Sequence, residues 1–174
     1  TDSTLWNGLG SFPIEKNEYS QGLFTKKAIE FIGSNINNPF LLYLSVVIPH
    51  EDGEAPTGKK YSDIPSFEPY TDKPWTESEK GYAAMITYLN TDVGKIMAKL
   101  KELGLDENTL VIFTSDNGGD SPDEFHNESN LPFRGIKRDL YEGGIRIPFI
   151  ARWKGTITPG RESDHVATFW DVLP

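Results

Sequence analysis

A long capped helix followed directly by an apolar strand limits the folds open to this chain. Thr76 and Glu79 form a capping-box pattern, and Gly104 stands where a helix-terminating glycine is expected. Between them, apolar side chains recur every three or four positions, at Tyr82, Ile86, Leu89, Val93, Ile96, Leu100 and Leu103. A short apolar strand is predicted next, at residues 109–114. This order indicates an α/β fold with a largely parallel sheet.

Further elements are predicted on either side of this unit. Ser20 is a candidate N-cap for a helix that runs to about Gly33. The apolar side of that helix is expected to hold Leu23, Phe24, Ala28, Phe31 and Ile32. Residues 40–48 form a nearly continuous apolar run, typical of a buried strand. Residues 51–75 are rich in Pro, Gly, Asp and Ser and predict a long loop, which is uncommon in compact domains unless it is functional.

The end of the chain adds two weaker predictions. Residues 146–152 are typical of a strand, which Pro148 restricts to an edge or bulged position. Residues 164–174 have the pattern of the start of an amphipathic helix. That helix stops on an apolar cluster, from which we expect the chain to be a fragment.

Composition narrows the class of protein. The 174 residues carry a formal net charge of −9, which argues against nucleic acid as a partner. With 37% hydrophobic and 25% charged residues the chain is an ordinary globular sequence, and no run approaches transmembrane length, so no membrane partner is expected. There is no cysteine, so the count gives no argument about the redox compartment.

The strongest chemical signal begins where the strand at 109–114 ends. Ser115, Asp116, Asn117, Gly118 and Gly119 follow it directly. The carboxyl ends of strands in open α/β sheets are where ligands bind, and one carboxylate with one amide oxygen is a donor pair that Ca²⁺ or Mg²⁺ prefers. Asp-Asn-Gly is also an ordinary turn sequence, so these residues alone leave a turn and a metal site open.

A second motif lies about twenty residues further on. Residues 134–148 read Arg-Gly-x-Lys-x-x-x-Tyr-Glu-Gly-Gly-x-Arg-x-Pro. Four basic residues stand here against two acidic ones, in a chain that is acidic as a whole. A cationic loop beside a candidate metal site suits an anionic substrate rich in oxygen.

Together the two motifs closely resemble the sulfatase family, in its arylsulfatase and N-acetylhexosamine-sulfatase branch. Residues 38–50, which end in Ile48-Pro49-His50, look like the family strand that leads to a catalytic histidine, and residues 79–86 look like the helix after it. The resemblance implies an alkaline-phosphatase-like α/β/α sandwich with a mostly parallel central sheet. On this basis residues 1–174 are expected to be the middle-to-late portion of one sulfatase catalytic domain, truncated at both ends.

The resemblance also implies roles for particular residues. Asp116 and Asn117 match family ligands of a Ca²⁺ ion, with Mg²⁺ as the other possibility. Lys137 matches the lysine that contacts the sulfate and helps to protonate the leaving group, and His50 matches a histidine that contacts the sulfate or the leaving oxygen. The formylglycine nucleophile is expected in a missing N-terminal part, since no Cys-x-Pro-x-Arg or Ser-x-Pro-x-Arg signature occurs here.

The expected activity is hydrolysis of sulfate esters, with a sulfated carbohydrate or an aryl sulfate as substrate, in a periplasmic, secreted or lysosomal compartment. Two alternatives stay open: a phosphoester or phosphonate hydrolase of the same superfamily, and a noncatalytic carbohydrate-binding module. Taken alone, the fragment is expected to be inactive and to self-associate through exposed sheet edges. His126 and His165 are further histidines with no assigned role.

Overall fold

The computed structural model describes residues 18–56, 58–120 and 130–172 in full, and residues 4–6 and 11–13 as backbone. Two short antiparallel strands, β1 (Thr4–Trp6) and β2 (Ser11–Pro13), come first. Helices α1 (Ser20–Ser34) and α2 (Glu77–Glu102) follow, then β3 (Val111–Thr114), α3 (Glu142–Ile145) and β4 (Phe149–Arg152). In the described ranges no helix combines the length and the apolar character that crossing a membrane requires.

Helix α2 confirms the prediction made for residues 76–104. The hydroxyl of Thr76 accepts a hydrogen bond from the Glu79 N–H at 3.2 Å, and Glu79 Oε2 accepts one from the Thr76 N–H at 2.7 Å. This reciprocal box satisfies two of the N–H groups that the first turn leaves open. At the other end Gly104 has φ 71°, the left-handed conformation that glycine adopts without steric cost.

Helix α1 is present as predicted, but its start and its buried side differ. Tyr19 is the N-cap, without a side-chain hydrogen bond, so Ser20 is the first helical residue and not the cap. Ala28 and Ile32 are buried as expected, whereas Phe31 is exposed. The buried side of α1 is therefore turned relative to the predicted one. It carries a polar contact to α2, in which Gln21 Nε2 donates to the buried Asp92 Oδ2 at 3.2 Å. The spacing of apolar residues in the sequence gives no sign of such a hydrogen bond.

The core of the described part lies between α2 and the segments on either side of His50. Ile48, Tyr61 and Met85 form its buried cluster. The described residues of the predicted long loop, 51–56 and 58–75, contain no helix or strand. This loop packs on α2 at Gly81, where a Cβ atom would overlap the Tyr61 carbonyl oxygen. The absence of a side chain at Gly81 is therefore what lets the loop lie against the helix.

Residues 40–48 do not form the predicted strand. Their exposure alternates residue by residue along the segment, the period of an extended chain with two faces. Leu41 and Tyr43 are 76% and 87% exposed on the outer face, while Ile48 is buried. No neighbouring strand in the described residues pairs with this segment, and a strand is defined by such a hydrogen-bonded neighbour.

Strands β3 and β4 pair with each other in antiparallel orientation, with Val111 opposite Arg152 and Thr114 opposite Phe149. The described residues contain no parallel pair, so the predicted parallel sheet is not seen within them. β4 begins at Phe149 rather than at residue 146, immediately after Pro148, which has no N–H to contribute to the ladder. Arg152 anchors β4 by a bidentate contact to Asp106, at 2.7 and 3.2 Å.

The prediction of an amphipathic helix at residues 164–174 is wrong for residues 164–172, which the structure describes. A single 3₁₀ turn, Phe169–Asp171, stands there instead, capped by Thr168. Trp170 is 79% exposed, so the apolar side chains that suggested a helix have no surface to pack on. Helices in proteins depend on such packing more than on propensity.

Candidate active site

The carboxyl end of β3 meets the segment that leads into β4. Because the two strands are antiparallel, the residues after Thr114 and those before Phe149 lie at the same end of the pair. Thr114 Oγ1 donates to the Pro148 carbonyl oxygen at 2.9 Å and fixes this junction. The two motifs recognised in the sequence are therefore neighbours in space.

Glycines bring the two motifs into backbone contact. The Gly118 N–H donates to the Gly144 carbonyl oxygen at 3.0 Å, and the Gly143 N–H donates to the Arg134 carbonyl oxygen at 2.8 Å. A Cβ atom at Gly118 would overlap the Gly143 carbonyl oxygen, and one at Gly143 would overlap that of Gly135. These positions need glycine because main chain packs on main chain.

The carbonyl of Gly119 ties the lysine loop to the loop after β3. It accepts from the Lys137 N–H at 2.9 Å and from Asn130 Nδ2 at 2.8 Å. Asn130 Nδ2 also donates to the Gly135 carbonyl oxygen at 3.1 Å, so one amide joins both loops. Sequence reasoning missed Asn130, since a single Asn outside a cap or turn pattern gives no signal of such a bridge.

Lys137 and His50, the two residues to which the resemblance gave catalytic roles, are brought together. Lys137 Nζ lies 3.3 Å from His50 Nε2. Lys137 is only partly buried and His50 is exposed, so both can reach a ligand from solvent. An ammonium group beside an imidazole is a pair that can bind an anion and transfer a proton.

The tautomer of His50 follows from its second hydrogen bond. Nδ1 lies 2.8 Å from the Glu51 carbonyl oxygen, which can only accept, so Nδ1 carries the proton. In the neutral ring Nε2 then holds a lone pair, which accepts from the Lys137 ammonium. Of the three Lys137 protons, one is used in this way and two remain for a ligand.

Asp116 and Asn117 present oxygen donors in the loop that the Gly119 carbonyl ties to the backbone of Lys137. Asp116 is exposed, and among the described residues its carboxylate has neither a hydrogen-bond donor nor an ion-pair partner. Asn117 Nδ2 donates to the Gly118 carbonyl oxygen at 2.9 Å, which leaves Oδ1 as an acceptor. This donor set fits a hard cation such as Ca²⁺, although two oxygens are far fewer than its usual six to eight. No group of three or more His, Cys, Asp or Glu side chains forms a metal cluster within the described ranges.

The loop around Lys137 is held in a strained conformation. Arg138, the next residue, has φ 81°, which costs a side-chain-bearing residue about 1–2 kcal/mol. Asp139 Oδ2 accepts from the Ile136 N–H at 3.0 Å and closes the turn. The Arg134 guanidinium stacks 3.9 Å from the centre of the Tyr141 ring. These contacts fix the loop from both sides of the lysine.

Of the other two histidines only His165 lies among the described residues, and it does not join this site. His126 lies outside the described residues. His165 is exposed, and its backbone N–H donates to Ser163 Oγ at 3.2 Å. Nothing in the described geometry gives His165 a ligand or a catalytic partner.

The described site combines a lysine–histidine pair with a neighbouring loop that bears a carboxylate and an amide, groups that suit an anionic substrate. The family model described as Sulfatase matches residues 2–174. The chain therefore belongs to the sulfatase family.

Curated relatives agree with this membership. Steryl-sulfatase of Rattus norvegicus is 35% identical over 154 residues, 85% of this chain and 24% of the relative. N-acetylgalactosamine-6-sulfatase of Mus musculus is 32% identical over 172 residues, 93% of this chain and 30% of the relative. The chain thus spans 24% and 30% of the length of these two proteins.

Solved structures give the same assignment at the level of the fold. Ps i-CgsB in complex with k-i-k-neocarrahexaose superposes with a TM-score of 0.63 at 28% identity, over 82% of this chain and 30% of that one. The PsFucS1 sulfatase from Pseudoalteromonas sp. superposes with a TM-score of 0.59 at 30% identity, over 86% of this chain and 28% of that one. The chain accordingly has an α/β fold of the kind found in sulfatases.

Proposed function

We propose that this chain supplies the leaving-group side of a sulfuric ester hydrolase active site. The observation that carries the proposal is the contact of Lys137 Nζ with His50 Nε2 at 3.3 Å, in a loop bonded to the one that bears Asp116 and Asn117. A sulfate ester needs cationic donors for its oxygens and a proton for the departing alcohol, and this arrangement offers both.

The two protons of Lys137 that are not directed at His50 donate to sulfate oxygens or to the ester oxygen. As a nucleophile from outside these residues forms its bond to sulfur and the ester S–O bond breaks, the leaving oxygen takes one proton from the Lys137 ammonium group. The lone pair on His50 Nε2 holds the lysine side chain in place by accepting another of its N–H bonds. The Gly119 carbonyl holds the Lys137 backbone, so the ammonium group is positioned before a substrate arrives.

Asp116 and Asn117 are the residues that would hold a divalent cation, Ca²⁺ in the first place and Mg²⁺ as the alternative. When bound, such an ion acts as a Lewis acid that neutralises charge on the sulfonyl oxygens. The exposed Asp116 carboxylate supports this role, because a carboxylate that has no partner among the described residues is available to a cation. We propose that the remaining ligands and a formylglycine nucleophile come from outside these 174 residues.

For the substrate we propose a sulfated carbohydrate or an aryl sulfate. The support comes from relatives: one is named for N-acetylgalactosamine, one is named arylsulfatase, and one structure was solved with k-i-k-neocarrahexaose. Another relative is named steryl-sulfatase, so a steryl sulfate belongs in the same test panel.

We further propose that this segment is one part of an alkaline-phosphatase-like sandwich whose central sheet is mostly parallel. Two apolar surfaces support this arrangement: the outer face of residues 40–48, and a groove of about 430 Å³ between α2 and the β3–β4 pair. The groove is lined by Ile86, Leu89, Val93, Met97, Val111, Phe113 and Ile150. Additional strands would bury both surfaces.

The decisive experiment measures sulfate ester and phosphate ester hydrolysis by a protein that contains this segment, with and without Ca²⁺. We expect Ca²⁺-dependent hydrolysis of the sulfate ester and a much lower rate with the matched phosphate ester. The 174-residue chain alone is expected to show no turnover, since groups that act as one catalytic unit do not work separately. Preference for the phosphate ester would instead support a phosphoester hydrolase. Sugar binding without hydrolysis would support a noncatalytic carbohydrate-binding module.

A further inference from the structure

The two residues that follow His50 are both held by one lysine. Glu51 Oε2 lies 3.1 Å from Lys60 Nζ, and the Asp52 N–H donates to the Lys60 carbonyl oxygen at 2.7 Å. The Glu51 and Lys60 side chains are only 24% and 25% exposed. Glu51 Oε2 is itself buried and accepts no well-directed hydrogen bond, so the positive charge on Lys60 is what compensates it.

Lys60 stands on a firmly packed part of the loop. The next residue, Tyr61, is buried, and its ring meets Tyr82 of α2 edge to face at 5.3 Å. Its carbonyl lies directly against Gly81, where no side chain intervenes. The contacts of Lys60 therefore connect the segment after His50 to the rigid helix α2.

The position of the Glu51 peptide decides the state of the His50 ring. Its carbonyl oxygen accepts the Nδ1 proton at 2.8 Å, which leaves the Nε2 lone pair directed at Lys137 Nζ. A rotated Glu51 peptide would remove that acceptor, and the ring could then take the opposite tautomer and lose its bond with Lys137.

We infer that Lys60 is a positioning residue for His50. Through the ion pair with Glu51 and the bond to Asp52, it holds the Glu51 carbonyl where it accepts the Nδ1 proton, and so keeps the Nε2 lone pair facing Lys137. The effect of Lys60 on the His50 tautomer does not depend on the proposed function, whereas the consequence of that effect for catalysis does.

The neighbouring lysine provides a matched control. Lys59 pairs with Glu77 at 3.6 Å, and both side chains of that pair are more exposed than those of Lys60 and Glu51. Lys59→Met thus removes the same charge from the adjacent position without touching the Glu51 peptide. Lys60→Arg keeps the charge and is the conservative rescue.

The test on the 174-residue chain is ¹⁵N NMR of the histidine rings at alkaline pH, where imidazole is neutral. The chain has three histidines, and a His50→Gln spectrum assigns the signal of His50. We expect Nδ1–H in the unmodified chain. Lys60→Met should shift the tautomer ratio toward Nε2–H by about tenfold, the usual worth of one hydrogen bond. Lys60→Arg and Lys59→Met should keep the original ratio.

If Lys60→Met fails to fold, Glu51→Gln takes its place, because it removes the ion pair and retains the backbone carbonyl. An unchanged tautomer ratio in the folded variant, or an equal change in Lys59→Met, would overturn the inference. In an active protein we expect Lys60→Met to lower kcat with little change in KM, and Lys60→Arg to restore it. A tautomer shift in a protein with no sulfatase activity would keep the positioning role and reject the proposed function.

Discussion

Lys137 Nζ lies 3.3 Å from His50 Nε2, although 87 positions separate the two residues in the chain. Each belongs to a different segment, one after the extended run 40–48 and one before β4. Only the packing of both segments at the same end of the molecule produces the pair. A lone exposed lysine would be ordinary, whereas a lysine held against an imidazole acceptor is equipped for proton transfer.

Lys137→Ala is expected to lower kcat by about 10²-fold or more in an active protein that contains this segment, the usual size of a lost general acid. The thermal midpoint should change little, because the backbone bond to Gly119 remains. Steady-state kinetics and thermal unfolding measure the two effects. Lys26→Ala, on the exposed side of α1, is the control. Ready unfolding with specific activity retained would show that Lys137 is structural.

Gly118→Ala should disrupt the contact between the two motifs, because the new Cβ would overlap the Gly143 carbonyl oxygen. Forced separation of packed backbone costs about 1–3 kcal/mol. A displacement of about 1 Å at a catalytic loop can lower activity about 10²-fold. Denaturant unfolding and kinetics test both figures. Gly53→Ala, where no atom lies within 4 Å of a Cβ, is the control and should be close to neutral.

Two glycines of α2 should respond in opposite ways to alanine. Gly81→Ala meets the Tyr61 carbonyl oxygen and should destabilise the chain by about 1–3 kcal/mol. Gly94→Ala meets nothing within 4 Å and should stabilise it by about 0.5–1 kcal/mol, the usual gain in a helix interior. Urea unfolding of both variants gives the comparison. Equal effects of the same sign would mean that the loop does not rest on α2.

The Asp106–Arg152 pair should make stability depend on acidity. The hydrogen bond from Arg152 is the main reason that the pKa of Asp106 lies below its ordinary value of 3.8. A carboxyl group whose pKa is lower in the folded state than in the unfolded state adds to the free energy of unfolding. This contribution is complete at pH values above the unfolded-state pKa, and it is lost as the pH falls through the folded-state pKa. Asp106→Asn should therefore be less stable at neutral pH and lose less stability between about pH 5 and pH 2.

Chemical denaturation across that pH range tests the Asp106 prediction. Asp164→Asn, at an exposed position, should follow the unmodified chain throughout. Parallel curves for Asp106→Asn and the unmodified chain would show that the pair contributes nothing to acid sensitivity.

The isolated chain should self-associate through the outer face of residues 40–48. Leu41, Tyr43 and Val47 are exposed there along an extended segment without a strand partner among the described residues, a template for pairing with another chain. Light scattering at about tens of micromolar should detect oligomers. Leu41→Lys with Val47→Lys should reduce their size, whereas Leu140→Lys, at a 92% exposed position elsewhere, should not. A strictly monomeric unmodified chain would contradict the prediction.

Local sequence predicted the elements whose cause is local. The capping box at Thr76 and Glu79, the terminating Gly104 and the apolar period between them predicted α2 to within a few residues, since all of these signals act within one or two turns. The motifs at 115–119 and 134–148 also predicted the family, which the match over residues 2–174 confirms. Roles for His50, Lys137, Asp116 and Asn117 remain predictions.

Predictions that depended on a partner in space were less successful. Residues 40–48 are extended as expected but have no strand partner among the described residues. Helix α1 turns its Gln21 side toward α2, where Asp92 accepts a hydrogen bond. Residues 164–172 lack a packing surface and form only a 3₁₀ turn. Apolar periodicity states which side chains avoid water, but not what covers them.

The sequence by itself determined which groups could do chemistry here: one lysine, one histidine, one carboxylate and one amide, each at the end or edge of a predicted element. The tertiary structure alone decided that Lys137 meets His50, that Asn130 bridges two loops, and that Lys60 holds the peptide on which the His50 ring depends. The physical reason is that these contacts are single hydrogen bonds or ion pairs between residues that lie 5 to 87 positions apart, outside the spacing of any helix or strand period. Their distances depend on the close backbone packing at Gly81 and Gly118, which no local pattern states.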